Sequence, residues 1–76
     1  MKLPRSAKRD EIDELAKKAI KTRTAKEANA IIDKLAKYGD DAVYAIDDVV
    51  NQTKFDEVRA HGLQVVRDIK FEDTQF

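Results

Sequence analysis

The sequence predicts an all-α fold of four helices, arranged as two stacked antiparallel helical hairpins, with a four-helix bundle as the other arrangement open to it. Three observations carry that expectation. Apolar residues recur with a period near 3.6 along most of the chain, and nowhere with the period of 2 that a strand requires. Capping signals divide the periodic stretch into four parts. The two halves also superpose on each other at an offset of about 30–31 residues, as repeated helical hairpins do.

The expected boundaries are a basic arm over 1–5, one helical domain over 6–70 with units at about 6–38 and 39–70, and an irregular tail over 71–76. In the first helix Ile12, Leu15, Ala16, Ala19 and Ile20 share one face, and Ser6 is its expected N-cap. The second opens at Thr24-Ala25-Lys26-Glu27, the spacing of a capping box, in which Thr and Glu satisfy orphan backbone donors reciprocally. Its apolar face is Ala28, Ile31, Ile32, Leu35 and Ala36, and Gly39 follows where glycine tolerates a left-handed cap. Asp40 is the expected cap of the third helix, whose face is Ala42, Val43, Ile46, Val49 and Val50. After a break at Asn51-Gln52-Thr53, a fourth helix capped by Thr53 buries Val58, Gly62, Val65, Val66 and Ile69, with Leu63 on its shoulder.

Composition narrows the function classes. A chain of 76 residues makes one domain, and at this size folding buries only about 60% of the unfolded surface. With no cysteine, neither disulfides nor thiolate metal sites reinforce that thin core. No apolar run approaches the roughly 20 residues of a membrane span, and no secretion signal is recognisable, so a cytoplasmic location is expected. The chain has one histidine, one serine and no cysteine, so no triad or Cys–His pair is expected, which points away from an enzyme. No metal, cofactor or small-molecule substrate is expected either. His61 is alone, and Asp40-Asp41 and Asp47-Asp48 lack calcium-loop spacing and read as solvated acids.

Charge is balanced overall but not along the chain. Residues 1–38 hold eleven Lys and Arg against six Asp and Glu, a net +5, and residues 39–76 hold four against nine, a net −5. Such polarity bears on association and steering. Lys17, Lys18, Lys21, Arg23 and Lys26 crowd the first turn, with Lys2, Arg5, Lys8 and Arg9 upstream. They are the residues a nucleic-acid accessory protein would use, yet acids are interleaved and no aromatic residue accompanies them to stack on bases.

Asp41-Ala42-Val43-Tyr44-Ala45-Ile46-Asp47-Asp48-Val49-Val50 followed by Asp56-Glu57-Val58-Arg59-Ala60-His61-Gly62-Leu63-Gln64-Val65-Val66-Arg67-Asp68-Ile69 resembles a HEAT repeat of the lyase-associated type. The opening Ala-Val-x-Ala-Ile and the Val58-Arg59 pair are the most specific parts. Tyr44 stands where the family often has proline, the turn at 51–53 lacks the aspartate usually paired with the arginine matched by Arg59, and residues 10–38 match in apolar spacing alone. The resemblance implies a protein-binding scaffold. Equivalent positions of the two units would then form one mixed ridge, with Ile31, Lys34 and Tyr38 beside His61, Gln64 and Asp68. Leu63 and the phenylalanines at 71 and 76 leave apolar area at an open end. Self-association is the form of binding these features favour, through an isologous dimer or a head-to-tail stack.

Overall fold

A computed structural model of the chain describes residues 4–74, with side chains described from 8 to 71. Four α-helices and one short 3₁₀ turn make up the fold: α1 over Pro4–Lys21, α2 over Ala25–Ala36, the 3₁₀ turn over Gly39–Ala42, α3 over Val43–Gln52 and α4 over Asp56–Thr74. There is no strand among the described residues.

The helices pair as α1 with α2 and α3 with α4, and the two pairs meet through α1 against α3 and α2 against α4. In an up-down-up-down bundle α4 would close the ring against α1 and α2 would lie fully beside α3. Here α1 and α4 share at most a marginal contact. The result is a slab of 39 × 32 × 17 Å, its short dimension that of two helix layers.

The core forms where the period places it. Ile12, Ala16 and Ala19 of α1, Ala28, Ile32 and Leu35 of α2, Ile46, Val49 and Val50 of α3, and Val58 and Val66 of α4 are all buried. Leu15, Ile20, Ile31, Val43, Val65 and Ile69 pack around them half-buried. Ala45 joins the buried set although the period of α3 does not single it out. Gly62 is a close-packing point: a Cβ there would lie 2.5 Å from Val50 Cγ2, with Ile32 and Ile46 just behind.

Local signals hold in part. The Thr24 hydroxyl accepts the Glu27 N–H at 3.2 Å, as an N-cap should. Gly39 has φ of +64°, the left-handed conformation that glycine adopts without a Cβ clash. Helix ends depart further. α1 begins at Pro4 rather than at Ser6, because proline suits the first helical position, where its missing N–H would be unpaired anyway; Met1, Lys2, Leu3 and the side chains of Arg5 and Ser6 lie outside the described residues. Asp40 is not the N-cap of α3. It sits in the 3₁₀ turn, which carries buried Ala42 onto the core, and α3 starts at Val43 with no side-chain cap. Asn51 and Gln52 are still helical, and the break falls at residues 53–55. The Thr53 hydroxyl accepts the Phe55 N–H at 3.1 Å, so it braces the turn instead of capping α4. At the other end α4 continues to Thr74 where an irregular tail is expected, since no glycine or proline follows Gly62 to stop it. The aromatic ring of Phe76 lies outside the described residues.

Candidate functional site

The first hairpin turns at residues 22–24, and the basic residues gather there. Lys17, Lys18 and Lys21 line a shallow groove between α1 and α2 together with Glu14, Glu27, Thr22, Ala30 and Ile31. Arg23 and Lys26 are exposed close by but do not line it. Lys17 and Lys21 also reach the seam between α1 and α3, beside Asp13 and Asp48. Of the five basic residues, Lys17 and Lys21 thus border two neighbouring surfaces, Lys18 one, and Arg23 and Lys26 neither, and carboxylates share both surfaces.

Toward the start of α1 the same groove changes sign. Leu15 and Tyr38 form its floor and Asp10, Glu11 and Glu14 its rim. The Tyr38 hydroxyl donates to Glu11 Oε1 at 2.8 Å. This hydrogen bond, then partial desolvation and the Glu11 charge, raise the phenol pKa above its ordinary value, since each favours the neutral form. Tyr38 thus lies folded over the α1–α2 edge.

His61 belongs to another surface. Its Nε2 lies 2.7 Å from Asp33 Oδ1, across the seam between α2 and α4. On α2, Ile31 and Asp33 are two residues apart, which turns them about 200° from each other around the helix. The expected ridge therefore divides: Ile31 and Tyr38 look onto the α1–α2 groove, while His61 meets the opposite flank of α2. Lys34 lies exposed between these flanks. Gln64 donates to Asp68 at 3.0 Å, so these two are bonded along the outer face of α4.

The end of the second hairpin carries the exposed apolar residues. Leu63 is 47% exposed and Phe71 64% exposed, and with Val66, Arg67 and Lys70 they line a shallow patch on α4. The sequence singles out both apolar residues, and the structure sets them about two helical turns apart on the same strip of α4.

Other contacts escape sequence reasoning. Lys8 Nζ donates to Asp41 at 2.7 Å, and Tyr44 donates to Asp13 at 2.7 Å with the Arg9 guanidinium 5.3 Å above its ring. Partial burial first, then the Asp13 hydrogen bond and charge, raise the Tyr44 pKa against a smaller opposing effect of Arg9. Together with Asp33–His61 these links join the two hairpins through residues 28 to 33 positions apart. That spacing lies close to the repeat offset, and side-by-side repeats are the signal that could have found them. Arg59 is the other unexpected anchor. It donates to the Val50 and Thr53 carbonyls at 3.3 and 3.1 Å and to Asp56 at 2.8 Å, so it closes the end of α3.

Among the described residues no group of three or more His, Asp or Glu could hold a metal ion, and no helix is long and apolar enough to cross a membrane. The surface thus offers an apolar groove between α1 and α2, acidic toward the start of α1 and basic toward the turn, and an apolar strip on α4 beside Arg67 and Lys70. Comparison of the chain with family models, with curated proteins and with solved structures finds no match.

Proposed function

We propose that this chain is a non-catalytic protein–protein interaction module built from HEAT-like helical repeats, acting in the cytoplasm and associating with copies of itself. The observation that carries the reading is the pair of open ends. Leu63 and Phe71 stand exposed on a surface otherwise rich in charge, where a further hairpin of a solenoid would stack. A helical-repeat fold gains stability from each neighbour it buries against, and units of this class ordinarily number three or more. The two hairpins of residues 4–74 leave an outer flank open on each side. Association supplies the missing neighbour. The HEAT-like assignment draws on the Val58-Arg59 opening and on the pairing of α1 with α3 and α2 with α4.

Sedimentation velocity across a range of concentrations, at low and moderate salt, tests the reading. The weight-average mass should rise with concentration. A strictly monomeric protein at high micromolar concentration and low salt would refute it. A nucleic-acid accessory role has one observation in its favour, the convergence of Lys17, Lys18 and Lys21 on a single groove. Micromolar binding to duplex or single-stranded DNA at about 150 mM salt, lost when these lysines are neutralised, would favour that reading.

A further inference from the structure

Three pairs of residues locate the two ends of the stack. On α1, Asp13 faces α3 through Tyr44, and Glu11, two residues earlier, lies about 200° around the helix from it. On α2, Asp33 faces α4 and Ile31 points the other way. On α4, His61 faces α2 and Leu63 points away. The Leu15–Tyr38 strip therefore lies on the outer side of the first hairpin, and the Leu63–Phe71 strip on the outer side of the second.

Their chemistry is complementary. The outer strip of the first hairpin sets Leu15 and Tyr38 among Asp10, Glu11 and Glu14. That of the second sets Leu63, Val66 and Phe71 beside Arg67 and Lys70. Each local sign is the reverse of the half that carries it, since the acidic strip belongs to the +5 half and the basic strip to the −5 half. Pairing by whole halves is thus a poor guide to the contact. Two copies meeting through identical strips would bring like charges together, which disfavours an isologous dimer at either end.

We infer that copies of the chain join head to tail, with the outer flank of α4 on one copy seated on the acidic Leu15–Tyr38 end of the outer α1–α2 groove of the next, away from Lys17, Lys18 and Lys21. This rests on the self-association proposed above and adds its geometry. Each junction sets a first hairpin against a second one, so the alternation inside the chain continues across copies. Leu63 and Phe71 meet Leu15 and Tyr38, while Arg67 faces the three carboxylates. A heterologous contact leaves one strip open at each end, so assembly grows with concentration until a ring closes.

Two variants with complementary defects test this: Leu63→Asp, and the double change Asp10→Lys with Glu14→Lys. All three positions are exposed, and circular dichroism checks that each variant keeps its helices. Each variant alone should associate about tenfold or more weakly than the unaltered chain. Mixed in equal amounts, they should form a one-to-one dimer and nothing larger, because each retains the strip the other lacks. Double-lysine chains that self-associate undiminished, or a mixture that forms no mixed dimer, overturn the head-to-tail geometry while the self-association of the unaltered chain stands. An unaltered chain that is monomeric under the same conditions overturns both.

Discussion

The two hairpins share a topology and are fastened by different chemistry. The first packs through alanines: Ala16, Ala19 and Ala28 are buried and let α1 and α2 approach without glycine. Its turn is held by hydroxyls, Thr22 bonding the Ala19 carbonyl at 2.9 Å and Thr24 capping α2. The second packs through β-branched residues, Ile46, Val49, Val50, Val58 and Val66, and makes room for them with one glycine. Its turn is closed by Arg59, whose guanidinium spans two carbonyls and a carboxylate. The same shape can be met by alanines set among Ile12, Ile32 and Leu35 or by β-branched residues around a single gap. The second solution concentrates its vulnerability at fewer positions.

Substitutions can break or sharpen that contrast. The largest effect is expected at the core that both hairpins share. Leu35 is completely buried, and Leu35→Ala should cost about 2–4 kcal/mol, enough to unfold most of so small a domain. Urea unfolding followed by circular dichroism measures it.

Gly62→Ala comes next and probes the second hairpin alone. The new Cβ meets Val50 Cγ2 at 2.5 Å, and a β-branched side chain in a helix has little freedom to turn aside. Overpacking of about 1–3 kcal/mol should outweigh the gain of about 1 kcal/mol in helix propensity, leaving a net loss. Increased stability would show that the close approach is soft. Arg59→Met keeps the aliphatic stem and removes the guanidinium, and because Arg59 is partly exposed the loss should be about 1 kcal/mol. Amide exchange should quicken around residues 50–55 and stay unchanged around the threonine-held turn of the first hairpin.

The smallest effect belongs to the tyrosines on either side of α1. Tyr38 and Tyr44 both have raised pKa values in the folded chain, so each binds its proton more tightly than it does unfolded. Their contribution is therefore fully present below the ordinary phenol value of about 10 and is lost as pH rises through the raised values. Thermal midpoints measured from pH 9 to 12 should fall less steeply in Tyr44→Phe and Tyr38→Phe than in the parent chain.

The helices and their inward faces are legible in the sequence because a 3.6 period survives any later adjustment of helix ends. Thr24 and Gly39 are legible because each meets a local need, and Gly62 because it falls on the inward face of α4. The helix ends are less so. At Pro4 the local preference of proline for the first helical position overrides Ser6, and at Ala42 and Gln52 the boundary falls elsewhere than at the nearest capping residue. The candidate surfaces depend on how each helix is rotated, which the offset alone leaves undetermined. Ala28 and Val58 match at that offset and are both fully buried. In the other pair of helices, buried Ile12 falls on half-buried Val43, and half-buried Leu15 on buried Ile46. Ile31 and His61 hold equivalent positions on α2 and α4, but Ile31 meets the open groove of the first hairpin whereas His61 meets the seam with α2. Leu63 needed no such information, since it stands well off the inward face of α4.

The lack of substantial contact between α1 and α4 has a kinetic side. These are the elements farthest apart along the chain, and joining them would require closing its longest loop. Every substantial pairing instead links neighbouring helices or those one element removed. Contact order is correspondingly low, and refolding should be complete within microseconds to milliseconds, as for other small helical domains. With one proline in the chain, at the very start of α1, no slow isomerisation phase from an interior X–Pro bond should follow it.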